Sequence, residues 1–106
     1  MKVLFDQGTP APLRKALAGH TVETAFERGW STLQNGQLIA AAEAAGFHVF
    51  VTTDRNLKYQ QNLGTRTIAI VVLLTTSWPR IERQLPLVVK AVHESTPTGC
   101  IEVHIE

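Results

Sequence analysis

The chain is short of several residue types. Its 106 residues include one cysteine, one methionine, one tyrosine and only two aspartates. A lone cysteine, Cys100, excludes an intrachain disulfide and points to a reducing compartment. The apolar run Ile68 to Leu74 falls far below the roughly 20 residues a membrane helix needs, so no membrane segment is expected. Charge of one sign is also missing. Ten basic against nine acidic residues give a net charge of +1. That balance excludes nucleic-acid binding through a bulk positive field, and any such contact must come from a local patch. There is no GxGxxG and no GxxxxGK[ST], so a nucleotide cofactor has no support. His20, His48, His93 and His104 form no HxH, HxxxH or His–Cys pattern, so zinc is not expected. The opening Met1-Lys2-Val3-Leu4-Phe5-Asp6 turns acidic too soon to read as a signal peptide, and a cytoplasmic location is the expectation.

A hydrophobic fraction of 44% can supply a core, and the length suits one small domain over residues 1–106. Short apolar runs predict strands at Lys2 to Phe5, Thr21 to Ala25, His48 to Thr52 and Thr67 to Leu74. The last of these is a β-branched run suited to burial on both faces. Ile101, Val103 and Ile105 alternate with polar residues, as in a half-exposed edge strand. Between the strands lie helical signals. Leu13 and Leu17 follow Pro10 and Pro12 and precede Gly19. Leu38 to Ala45 follows Asn35, which reads as an N-cap, and Gly46 closes that helix. Asn56 to Leu63 reads as a short polar helix. Ile81, Leu85, Val88, Val89 and Val92 describe a last helix from Pro79 to His93, broken near Pro86. Strands alternating with helices predict an α/β domain with three layers around a mostly parallel five-stranded sheet.

Each aspartate directly follows a strand, Asp6 the first and Asp54 the third. The carboxyl ends of parallel strands open onto the crevice where ligands bind, so the two acids are candidates for one shared site. Two acids at such an edge repel and invite a cation or a basic group between them. The plainer account is that each aspartate only caps the helix that follows it, since Asp is a favoured N-cap. Arg55, Lys58 and Tyr59 come next along the chain and are candidates for phosphate and base contacts. Arg14 and Lys15 read as ordinary surface cations, and Thr75 to Ser77 as a hydroxyl-capped helix start. Trp30 reads as a lid on the core, and Trp78-Pro79 as the seat of the last helix.

The stretch Asn35-Gly-Gln-Leu-Ile-Ala-Ala-Ala, the later Val51-Thr-Thr-Asp54-Arg-Asn-Leu57 and the early Leu4-Phe5-Asp6 together resemble the PIN-like domain family, in particular its small toxin-like members. In that family an acid opens a helix running xxLIAxA, and a strand then ends in VTxDxxF. The resemblance spans Met1 to about Leu74. It implies a PIN-like fold, a Mg²⁺- or Mn²⁺-dependent ribonuclease, RNA as substrate, and a possible antitoxin protein or second copy as partner. By matched position, Asp6 and Asp54 are implied metal ligands, and Asn35 completes the site. The chain departs from the pattern in three places. Asn35 stands where an acid is usual, Gln7 stands where relatives place a second acid, and Glu23 and Glu27 are the only acids between the first strand and Asn35. A weak metal site is the expectation. Two alternatives stand beside hydrolysis. One is a non-catalytic RNA- or protein-binding module. The other is a receiver-like phosphoacceptor in which Asp54 attacks a phosphodonor.

Overall fold

The computed structural model describes residues 1–57 and 66–105. Five strands form one sheet in the order β2-β1-β3-β4-β5: β1 is Lys2–Phe5, β2 Thr21–Thr24, β3 Val49–Thr52, β4 Ala69–Leu73 and β5 Cys100–Val103. Every pairing is parallel, so the sheet is parallel throughout and not merely mostly so. The central strands β1, β3 and β4 are almost wholly apolar, as strands covered on both faces must be.

Alternation along these strands divides the core in two. Val3, Phe5, Val49, Val51, Val71 and Leu73 point to one face, with Leu13, Leu17, Ile81, Val88 and Val92 packed among them. Leu4, Phe50, Ile70 and Val72 point to the other, where Leu38, Ile39 and Ala42 cover them. Helices therefore lie on both sides of the sheet.

The helix on the second face, α1, spans Asn35–Ala44. Its N-cap is Gln34, not Asn35 as the sequence suggests. The Gln34 carbonyl accepts from Leu38 N–H at 2.7 Å, and the Gln37 side chain accepts from Gln34 N–H at 3.4 Å. Asn35 is thus the first helical residue, which frees its side chain from capping. Gly46, at φ +83°, takes the left-handed conformation that ends the helix, a position where glycine carries no Cβ penalty.

On the first face, Ala11–Leu17 forms a 3-10 helix where the leucine spacing suggests an α-helix. The Leu13 N–H bonds to the Pro10 carbonyl three residues back, at 3.2 Å. Pro10 and Pro12 supply no N–H of their own, which favours this short, tight form. The last helix is two helices, α2 at Trp78–Arg83 and α3 at Leu85–Glu94, meeting at Gln84. Pro86 causes the break, since its ring is tolerated only in the first turn of a new helix. A six-residue helix cannot sustain itself. Fully buried Ile81 anchors it, a contribution of about 1.5–3 kcal/mol. No helix among the described residues is long and apolar enough to cross a membrane.

Candidate functional site

The chain leaves β1 for β2 on one side and later returns for β3 on the other, so the sheet order reverses between β1 and β3. Such a reversal creates the crevice where open α/β sheets bind ligands. Asp6 directly follows β1 and Asp54 follows β3, so both acids stand at this point.

Register explains why they meet. Phe5 pairs with Val51, and the Asp6 N–H continues the ladder to the Val51 carbonyl at 3.1 Å. The next residues along, Asp6 and Thr52, therefore lie side by side. Both follow the parity of Leu4 and Phe50, so they face the side covered by α1. The first turn of α1 begins at Asn35, at the same edge. The Thr52 hydroxyl donates to Asp6 Oδ2 at 2.5 Å and accepts from the Asp54 N–H at 3.1 Å. The Asn35 side-chain amide donates from Nδ2 to Asp54 Oδ2 at 2.5 Å. Only the NH₂ end of an amide can face an ionised carboxylate, so this bond fixes the orientation of the Asn35 side chain.

Asp6 is 8% exposed. Its Oδ1 accepts from the Gly8 N–H at 3.1 Å and from the buried Thr9 hydroxyl at 2.6 Å. Asp54 is half-buried, and its Oδ1 accepts from the Asn56 N–H at 2.9 Å. Asp6 does not cap the helix that follows it, whose N-cap is Pro10; each aspartate instead organises its own turn. The two are also linked through Thr52.

A carboxylate offers about four acceptor positions. Asp6 has three occupied by Gly8, Thr9 and Thr52, and Asp54 has two occupied by Asn35 and Asn56. The remaining capacity suits a divalent ion that keeps most of its water, the usual habit of Mg²⁺, and does not suit a dehydrated cage. Among the described residues, no three His, Cys, Asp or Glu side chains converge as a metal group.

The other candidates do not gather at this edge. The Arg55 guanidinium donates to the Leu74 carbonyl at 2.5 Å, at the end of β4. Lys58 and Tyr59 lie outside the described residues, as does most of the segment Asn56 to Leu63 read as a helix. Gln7 turns away from the acids and braces the following loop, donating to the carbonyls of Ser31 at 2.9 Å and Leu33 at 3.1 Å. Arg14 is bound to Glu27. That bond is the main cause of the lowered Glu27 pKa, with the Thr24 N–H next. Lys15 lines a groove with Pro12 and Trp78 on the other face of the sheet. Trp30 packs against the core in a T-shaped pair with Phe47, with Arg28 over its ring. The Thr75 hydroxyl accepts from the Ser77 N–H at 3.1 Å, closing a turn before the helix; it does not cap α2, whose N-cap Ser77 makes no side-chain capping bond, contrary to the expectation. His20 and His93, far apart in sequence, place their rings 4.9 Å apart.

Sequence reasoning missed Thr52, Thr9 and Gly8. Thr52 carried one usable signal: a hydroxyl two residues before Asp54, on the same side of the strand. No family model, curated protein or solved structure matches the chain.

Proposed function

We propose that the protein is a PIN-like, Mg²⁺- or Mn²⁺-dependent ribonuclease whose site is built from Asp6, Asn35 and Asp54. The observation that carries this reading is the placement of both aspartates at the β1/β3 reversal, where the buried Thr52 hydroxyl donates to the Asp6 carboxylate and accepts the Asp54 backbone N–H. In this reading Asp6 and Asp54 hold the ion. When bound, the ion supplies a water of lowered pKa and positive charge for the scissile phosphate. The chain's own residues do the positioning. Thr52 and Thr9 hold the Asp6 carboxylate in one rotamer, and Asn35 holds that of Asp54. Arg55 has five guanidinium N–H groups and uses only part of them on Leu74, so the rest are available to phosphate oxygens. Lys58 and Tyr59, which follow Arg55 in the sequence, are the further candidates for phosphate and base contacts in this reading. The RNA substrate, a toxin role, an antitoxin partner and a cytoplasmic location all belong to this proposal and rest on the PIN-like resemblance.

The test is Mn²⁺-dependent cleavage of single-stranded RNA, compared between the native protein and Asp54→Asn. Cleavage that needs the ion and disappears in the variant is the expected result. Equal cleavage by the variant rules the site out.

A second reading has an observation of its own: both carboxylates are already bound by protein donors. A non-catalytic module would retain such a cluster for rigidity and bind RNA or protein without turnover. Saturable RNA binding with no ion-dependent cleavage favours it. The strand order is also that of flavodoxin-like and receiver-like sheets, an analogy of fold alone. Covalent labelling of Asp54 by acetyl phosphate would replace both readings with phosphoacceptance.

A further inference from the structure

We propose that the groove between the 3-10 helix and α2 is a nucleotide subsite. It takes one amino-bearing base of an RNA strand against Trp78, with the adjoining phosphodiester on Lys15. The choice of RNA rests on the ribonuclease reading. The groove has a volume of about 420 Å³ and is lined by Pro12, Lys15, Ala16, Trp78, Glu82 and Leu85. Small-molecule sites run from roughly 300 to 1,000 Å³, so this one suits a single nucleotide.

Local structure explains why these side chains share one groove. In a 3-10 helix residues three apart eclipse, so Pro12 and Lys15 stand in line on one wall. In an α-helix residues four apart share a face, so Trp78 and Glu82 stand in line on the other. Leu85, the first residue of α3, completes that wall. Trp78 is half-buried and packs against the first-face core while bordering the groove, so packing holds its ring in place. The 3-10 helix follows β1 and α2 follows β4. Both therefore begin at the carboxyl end of the sheet, the end that carries Asp6 and Asp54, but on the face opposite α1. An RNA strand laid across that end meets the acids and the groove.

Charge selects the occupant. Among the described residues, the Lys15 and Glu82 side chains make no ion pair or hydrogen bond, with each other or with a third residue. An α-amino acid carries its ammonium and carboxylate on one carbon, and would need the two side chains close enough to pair. A nucleotide carries its anion and its N–H donors at separate ends. Lys15 is the one cation among the lining residues, which matches the single charge of a phosphodiester. The terminal phosphate of a free mononucleotide carries nearly two charges. The Glu82 carboxylate has no hydrogen to donate. It accepts from an exocyclic amine such as cytosine N4 and repels the carbonyl that uracil presents at the same position. Trp78 supplies a flat face on which the base stacks.

Fluorescence anisotropy on the full chain tests the subsite, with end-labelled oligocytidylate and oligouridylate of equal length in EDTA, where no ion-dependent cleavage runs. The native protein is expected to bind oligocytidylate about tenfold tighter than oligouridylate. Glu82→Lys replaces the acceptor by a donor and is expected to bring that ratio to one or below. Lys15→Ala is expected to weaken both strands alike, by about fivefold. Trp78→Phe keeps a ring and should retain most of the affinity that Trp78→Ala loses, with circular dichroism checking that both remain folded. Equal binding of the two strands by the native chain, a ratio unchanged in Glu82→Lys, affinity untouched by Lys15→Ala, or cytidine monophosphate competing as well as the strand would each overturn the proposal. Asp54→Asn, the variant that tests cleavage, is expected to keep the native ratio. A preference for oligocytidylate that Glu82→Lys abolishes, without Mn²⁺-dependent cleavage by the native chain, upholds the subsite and removes the ribonuclease reading. Cleavage without that preference does the reverse.

Discussion

The Thr52 hydroxyl donates to the Asp6 carboxylate at 2.5 Å across the β1–β3 pair, with both residues essentially buried. That contact converts two unrelated strand ends into one cluster, because the same oxygen accepts the Asp54 N–H.

Thr52→Val keeps shape and β-propensity but removes this donor and leaves a buried carboxylate oxygen short of one partner. An unsatisfied buried polar group costs about 1–3 kcal/mol. A loss of stability in that range is expected by urea denaturation at neutral pH, with Thr52→Ser losing much less.

Asn35→Asp restores an acid at the helix start and removes the amide that binds Asp54. Without divalent ions the variant sets two carboxylates against each other at a contact that is now 2.5 Å. A destabilisation of about 1–3 kcal/mol is expected. Added Mn²⁺ should raise the melting temperature of Asn35→Asp more than that of the native chain, because an ion bound only by the folded state stabilises it by mass action. Equal response to Mn²⁺ would show that residue 35 does not face the ion.

Gly8 is held close to its neighbours. A Cβ built there falls 2.8 Å from Thr53 Oγ1 and 3.8 Å from Asp6 Oδ1. Gly8→Ala must therefore displace the Thr53 hydroxyl. The cost should largely vanish in a Thr53→Ala background, giving a coupling of about 0.5 kcal/mol or more in a double-mutant cycle. Additive effects would show that the turn absorbs the methyl by moving its backbone.

Glu43 on α1 ties the start of β4 to the second face. Burial pushes its carboxyl upward, but hydrogen bonds from the Thr67 N–H and hydroxyl and from Arg66 outweigh this and leave its pKa below the ordinary 4.5. A carboxylate with a folded pKa below its unfolded one contributes stability that is present above the unfolded value and lost as pH falls through the folded one. Stability should therefore decline as pH drops below about 4.5. That decline should be shallower in Glu43→Gln than in the native chain, as read by denaturation midpoints across the acid range.

Much of the fold was legible because burial leaves a period in the chain. The β-branched run ending at Leu74 is buried along the whole of β4, as a two-faced strand must be. Pro86 marked the break between α2 and α3, since its ring chemistry acts locally. The 3-10 form of Ala11–Leu17 was not legible, because leucines four apart fit either helix until the prolines' missing donors are weighed. The role of Asn35 was misread for a related reason. Asn is a good cap in general, but here Gln34 and Gln37 close the helix start and leave the Asn35 amide to Asp54.

The order of strands and helices, the apolar faces and the placement of each aspartate after a strand were decided by residue pattern alone, because periodic burial and turn chemistry are local. What lies beside what was decided by tertiary structure. The parallel register β1–β3 sets Asp6 next to Thr52, separated by 46 positions in the chain. No local signal encodes which strand becomes whose neighbour, since that choice follows from packing both faces of the sheet at once.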